Sequence, residues 1–575
     1  MTTFGHLLAE AFRESPDHLC VVLQRAGQPD LTLTFRQVME GANSYALVLK
    51  NMGVLPGDVV VIILEHSQAL LFAYWGTIMH GAIPSVMPFL TEKLAPERYR
   101  NELVALLDVT RPSAIITYPE FETEVRAAIE SCGADSHRNN RKPSEPGRMS
   151  IAVLLPDHIP PPSTPDFETL PAVGRHPDDL VLLQHSSGTT GLQKGVALTH
   201  RAVIKQLSVY AKAIQLNPDS DVIVSWLPLY HDMGLIACFI LPILLRVPLV
   251  LMSPFDWVRA PYRLMQSVSQ YRGTLTWLPN FAFNLCARTV RPRQMEGVDL
   301  NSWRAVINCS EPVRAESHAA FYTAFSSYGL RPAVLHTSYA MAENVFAVTQ
   351  SPLDRSPAII AVDPVAFISE RNVRPPKSPN AGLSLLSSGQ VLENAKLCVL
   401  DEKRRPVIDG IVGELALRSD CMLNEYYNRP EASKLAFKTG WYLTGDYGFM
   451  LDGEVFVTGR KKDLIIVGGK NIYPQDLEAL ASEVPGVHPG RVAAFGIYND
   501  DTGTEDVVIV AEADGQTLQS WEEIADAVRA YVTKNSAIAL RKVEIVEPRW
   551  ILKTSSGKVN RAANREKYLQ KSHSY

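Results

Sequence analysis
The stretch HSSGTTGLQKG, residues His185 to Gly195, packs four hydroxyl side chains, three glycines and one lysine into eleven residues. Leu180-Val181-Leu182-Leu183 precedes it and Val196-Ala197-Leu198 follows, and both runs read as strands. A polar glycine loop between two strands predicts a hairpin whose backbone N–H groups and hydroxyls can wrap a polyphosphate, with Lys194 adding a point charge. It is not a Walker A loop, which needs Gly-Lys-Ser/Thr opening into a helix; here Gln193 precedes the lysine and Gly195 follows it. On composition alone, a surface turn is the competing reading.

Outward from the loop, the first third of the chain alternates short apolar runs with amphipathic segments. Val59 to Leu64 and Ala114 to Thr117 read as buried strands, which predicts helices covering a mostly parallel sheet. Nine prolines crowd the polar stretch from Cys132 to Asp179, read as a linker with only Ile151 to Leu155 strand-like. Gly234 to Phe255 is apolar, but Arg246 sits in its middle and Pro242, Pro248 and Pro254 break it. It reads as a buried helix and strand, not a membrane span. Pro352 to Ala381 is Pro-rich and reads as helix-poor. Lys396 to Leu400, Gly413 to Leu417 and Glu454 to Thr458 read as strands of a small β unit. Near the end, Ser520 and Glu523 have capping-box spacing, and Ile524, Val528, Tyr531 and Val532 recur at helical intervals.

At 575 residues the chain exceeds what one core normally serves, so at least two domains are expected. Its 46% hydrophobic and 20% charged residues are those of a globular protein. A net charge of -5 without a Lys/Arg block argues against a grip on nucleic acid. The seven cysteines lie far apart with no CxxC pair, the usage of a reduced, cytoplasmic protein without a zinc site.

Six segments in a fixed order carry a resemblance. They are the glycine loop; Ser225-Trp226-Leu227-Pro228-Leu229-Tyr230-His231-Asp232-Met233-Gly234-Leu235; Asn308-Cys309-Ser310-Glu311-Pro312; Ser338-Tyr339-Ala340-Met341-Ala342-Glu343; Trp441-Tyr442-Leu443-Thr444-Gly445-Asp446 with Gly459-Arg460-Lys461-Lys462-Asp463; and Lys553-Thr554-Ser555-Ser556-Gly557-Lys558. Together they resemble the adenylate-forming superfamily over essentially the whole chain. Singly, Glu343 would be a surface carboxylate, Asp446 an Asx turn and Lys558 part of a solvated loop.

The resemblance implies an α/β fold. Residues 1–458 would form an adenylation domain of two doubly wound subdomains plus a small β-barrel-like unit, with an insertion at 352–381. Residues 459–463 would be a hinge and 464–575 a mobile α+β lid. It implies ATP and Mg²⁺ as cofactors. Ser186, Ser187, Gly188, Thr189, Thr190 and Gly191 would wrap phosphates beside Lys194. Ser310, Glu311, Pro312, Ser338, Tyr339, Ala340 and Met341 would line the adenine site. Asp446 and Arg460 would hold ribose, Glu343 and Thr189 the metal, and Lys462 would allow the lid to turn. Lys558 would supply charge for adenylation. His231 would abut the substrate carboxylate, a packed histidine being the other reading.

Within the superfamily the chain is most similar to fatty acyl-AMP ligases, which act in polyketide or lipopeptide biosynthesis. The acceptor implied is the phosphopantetheine thiol of an acyl carrier protein, with CoA as the alternative. Gly468-Gly469-Lys470-Asn471-Ile472 resembles acyl-CoA synthetases instead, and Ala340 replaces a glycine common in the family. Asp232 stands where amino-acid activators pair a substrate ammonium. An amino-acid or aryl-acid ligase and a non-catalytic nucleotide-binding homologue complete the alternatives; the latter would be expected to lack Lys558, Glu343 or Asp446.

Overall fold
The computed structural model describes the chain except residues 1, 90–95, 139–150, 187–193, 379–381, 468–469, 500–503, 516, 537, 555–556 and 573–575. The hairpin forms as the loop's flanks predict. Leu180–Ser186 pairs antiparallel with Lys194–Thr199, with His185 opposite Gly195. This hairpin is one side of a seven-stranded sheet. Its parallel part runs through Ile83–Val86, Val59–Ile63, Ala114–Thr117 and Ala152–Leu154. Every residue of Val59–Ile63 is buried, as expected of a parallel strand covered on both faces.

The second sheet has an antiparallel edge strand, Leu31–Thr34, followed by six neighbouring parallel strands: Leu19–Leu23, Leu249–Leu251, Ile223–Ser225, Leu275–Leu278, Ala305–Asn308 and Leu335–Ala340. It continues antiparallel through Ala347–Gln350, Gln390–Val391, Glu454–Arg460, Trp441–Leu451, Gly413–Ser419 and Ala395–Leu400. The strands expected as a small β unit are therefore present and join the larger sheet. Helices Phe35–Asn51 and Gln68–Met79 pack closely together. A Cβ on Gly76 would lie 2.4 Å from the Ala42 carbonyl oxygen, so only glycine permits this approach. The apolar stretch after Gly234 forms a π-helix, Met233–Ile240, a short α-helix, Leu241–Leu244, and the strand Leu249–Leu251. Among the described residues no helix is long and apolar enough to cross a membrane.

After residue 463 the core changes. Val487–Asn499, Thr504–Ala513 and Leu540–Val546 form a separate three-stranded sheet. Alternate residues serve its two faces. Ala494, Val507 and Ile509 pack with Leu477, Ile524 and Val528, whereas Ala493, Phe495, Val508 and Val510 pack with Trp550 and Tyr568. Ser520 caps the helix Trp521–Ser536 reciprocally with Glu523. Tyr531 does not join the buried stripe; it is 39% exposed and its hydroxyl donates to Glu483 at 2.6 Å.

The segment Pro352 to Ala381 departs from the helix-poor expectation. Ile359–Val362 pairs with Leu383–Leu386, and Pro364–Glu370 is an α-helix. Asp363 caps it by accepting from the Ala366 N–H, and Pro364 opens it, where the missing N–H costs nothing. Val362 and Phe367 share a small core with Phe449 and Phe456 of the β strands and with Tyr473, beyond the change of core.

Candidate active site
Open α/β sheets bind ligands at the carboxyl ends of their parallel strands, and four adjacent strands of the second sheet end together here, three of them leading into the motifs. Ile223–Ser225 leads into Trp226, Leu275–Leu278 into Pro279, Ala305–Asn308 into Ser310 and Leu335–Ala340 into Met341. A cleft of about 600 Å³ opens over these ends, lined among others by Lys194, His231, Glu343, Asp446, Arg460 and Lys558.

Two carboxylates organise its polar wall. Asp446 accepts from the Tyr339 hydroxyl at 2.6 Å and faces Arg460 Nε at 3.5 Å, and its backbone N–H donates to Thr444 Oγ1 within its own turn. Glu343 accepts from the Tyr426 hydroxyl at 2.9 Å, and that hydroxyl also meets Tyr442. Burial, with the Glu343 charge, raises the Tyr426 pKa, so the phenol stays protonated and donating. Lys194 sits 4.6 Å above the Tyr426 ring.

At the other end, His231 Nδ1 lies 2.6 Å from Asp232 Oδ1, which also accepts from the Met233 N–H at 2.8 Å. Burial opposes the Asp232 charge, but His231, Lys558 and the Met233 amide together hold its pKa below the ordinary value. Lys558 arrives on a tight turn made by Gly557 at φ 87°, closed by the Thr554 N–H donating to the Lys558 carbonyl. Its ammonium donates to the Ser310 carbonyl at 2.5 Å, across the boundary between the two cores. Burial lowers the Lys558 pKa, while Glu311 pulls it back up. Ser310 itself holds φ 72°, a left-handed backbone rare for serine and often found at functional sites. Behind this junction a small apolar pocket is lined by Trp226, Leu227, Pro228, Met233 and Pro279. Trp226 stacks on Trp257 at 3.6 Å.

The family model for AMP-binding enzymes matches residues 8–427. This chain belongs to that family. The AMP-binding enzyme is 31% identical over 564 residues to the long-chain-fatty-acid–AMP ligase FadD32 of Mycolicibacterium smegmatis, covering 89% of this chain and 85% of that protein. It is 30% identical over 413 residues to the medium-chain-fatty-acid–[acyl-carrier-protein] ligase TtuA of Teredinibacter turnerae, covering 68% of this chain but 64% of TtuA. Among solved structures, one from work on fatty acyl-adenylate ligases of E. coli and L. pneumophila superposes with TM-score 0.86 at 26% identity, covering 100% of this chain and 98% of that one.

Within this AMP-binding enzyme the cleft brings together Lys194, His231, Ser310, Ala340, Met341, Glu343, Asp446, Arg460, Lys462 and Lys558. Tyr339 reaches it through Asp446. Glu311 Oε2 instead accepts from the Phe281 N–H, anchoring the helix Asn280–Thr289. Ser338 is buried and donates to the Thr349 carbonyl. The expected phosphate-loop residues Ser187, Gly188, Thr189, Thr190 and Gly191 lie outside the described residues, as do Gly468 and Gly469; Ser186 is described only by its backbone pairing with Lys194.

Sequence reasoning missed Tyr426, which no motif marks and which reaches Glu343 from a distant strand, and it gave no role to Tyr442, which lies in the Trp441–Asp446 motif and meets the Tyr426 hydroxyl. It also missed Arg314, which donates to the Gln475 carbonyl and to Asp476 at 2.7 Å and so ties the two cores together. Mg²⁺ is ordinarily held by one or two carboxylates plus substrate phosphates. A single Glu343 at the cleft fits that habit, and among the described residues no cluster of three ligating side chains competes for a metal.

Proposed function
We propose that this enzyme activates a fatty acid with ATP and passes the acyl group to the phosphopantetheine thiol of an acyl carrier protein. The carboxylate attacks the α-phosphorus, an acyl-adenylate forms and pyrophosphate leaves. The thiol then attacks the acyl carbonyl and AMP leaves. The observation that carries the first step is the Lys558 ammonium at the junction of cleft and apolar pocket, beside His231 and Ser310. Two anions must meet there, so preorganised positive charge is what the reaction needs.

In this reading Lys558 and Lys194 neutralise charge building between carboxylate and phosphates, and His231 meets the carboxylate. Asp446 binds the ribose hydroxyls with Arg460 behind it, and the turn around Ser310 with Tyr339, Ala340 and Met341 frames adenine. Glu343, with Thr189, would hold Mg²⁺, which supplies charge neutralisation on the phosphates when bound. Residues 1–458 act as the adenylation domain and 464–575 as the lid, turning about 459–463 near Lys462. None of the seven cysteines forms a disulfide, in keeping with a reducing cytoplasmic setting.

The names of FadD32, a fatty-acid–AMP ligase, and TtuA, an acyl-carrier-protein ligase, support acid and acceptor alike. A mass-spectrometric assay tests the reading by offering ATP, a fatty-acid panel, CoA and a holo-carrier protein together. Acyl-adenylate and acylated carrier are expected. Acyl-CoA formed as fast as acyl-carrier would move the enzyme to the synthetase branch.

A further inference from the structure
The nucleotide cleft and the apolar pocket share three residues, His231, Ser310 and Lys558. On the reading above, the substrate carboxylate must sit between them. His231 presents two ring nitrogens to this place, and the structure commits one of them. Nδ1 lies 2.6 Å from Asp232 Oδ1, with both side chains largely buried, so Nδ1 carries the proton and Nε2 is left for the acid. Asp232 is itself immobilised. It opens the π-helix Met233–Ile240 and the same oxygen accepts the Met233 N–H. At Gly234 the start of this helix packs directly on the Pro228 carbonyl, where a Cβ would lie 2.2 Å from the oxygen.

We infer that Asp232 is a positioning residue for acid recognition: it orients His231 and places a negative charge behind the imidazole. So oriented, the imidazole keeps Nε2 for the substrate acid. The inference rests on the acid-activating reading but goes beyond it in a definite way. Asp232 in this chain serves histidine and not a substrate ammonium. Its charge is already faced by His231 and attracted by Lys558, and the adjoining pocket is walled by Trp226, Leu227, Pro228 and Met233. The substrate class that follows is a carboxylic acid without an α-amino group.

The test is Asp232→Asn, in the full-length enzyme, by acid-dependent ATP–pyrophosphate exchange. Asparagine caps helices as well as aspartate does and keeps the Met233 acceptor, so a purely structural role predicts near-wild-type behaviour. A positioning role predicts that KM for the acid rises by at least about tenfold while KM for ATP stays within about twofold. On a His231→Ala background the same substitution should add little, because its route to the substrate is gone. Asp232→Ser, which also retains a cap, should copy the asparagine variant. An unchanged KM for the acid would overturn the inference, and so would equal losses for acid and ATP. Exchange supported by α-amino acids in the wild type and lost in the asparagine variant would make Asp232 an ammonium receptor; acid activation would stand and the inference would fall. Exchange with no acid at all would overturn both together.

Discussion
At the residue scale, the lysine that crosses between the two cores carries the sharpest expectation. Lys558 reaches the Ser310 carbonyl with a short charge-assisted bond, and on the proposed mechanism its charge is needed only while carboxylate and phosphate approach. Lys558→Ala should therefore reduce adenylate formation by orders of magnitude yet spare thiol transfer from supplied acyl-adenylate. Single-turnover assays of the two half-reactions separate these, and retained exchange within a few-fold would contradict the role. Asp446 differs, because the role proposed for it, binding ribose, acts in the ground state. Its oxygens face Tyr339 and Arg460, and two ribose hydroxyls would add charge-assisted bonds worth roughly 1.5–3 kcal/mol each. Asp446→Ala should weaken ATP binding accordingly in calorimetric titration, and an unchanged affinity in the folded variant would refute it.

At the element scale, the segment Pro352 to Ala381, proposed as an insertion, shares a small core with the strands beside it and with Tyr473. Phe367 lies 6.1 Å from Tyr473 and 6.2 Å from Phe449, and Phe449 stacks on Phe456 at 4.8 Å. If this cluster restrains the lid, Phe367→Ala, a truncation costing about 3–5 kcal/mol in a well-packed core, should raise acyl-CoA formation relative to carrier loading. A folded variant with an unchanged ratio would remove the insertion from the account. Much of this architecture was legible in advance. The hairpin around the glycine loop, the buried strand at Val59 and the capped helix after Ser520 all followed from local pattern. The helix Pro364–Glu370 was not read from the sequence: Asp363-Pro364 is an N-cap followed by a first-turn proline, but the surrounding prolines masked it. The Tyr426–Glu343 bond and the Arg314–Asp476 tie were not legible. Each joins residues that only the folded sheet brings together, and neither leaves a periodic trace in the sequence.

At the scale of the whole molecule, buried histidines set the acid response. Burial pushes His66, His185, His200, His318 and His336 each down to about 4. The unfolded chain titrates them near 6.5, so between roughly pH 6.5 and 4 it binds more protons than the native state. Stability must then fall as pH drops through that window, all five acting with the same sign. The melting temperature should decline from pH 7 to pH 5, and a flat profile would contradict their neutral burial. On the proposed function, one cleft joins a carboxylate to the α-phosphate of ATP. The most direct measurement is exchange of labelled pyrophosphate into ATP with wild type and Lys558→Ala in parallel, with and without a fatty acid. Exchange that requires the acid and vanishes in the variant is the predicted result; no acid-dependent exchange by the wild type, or equal exchange by both proteins, would contradict it.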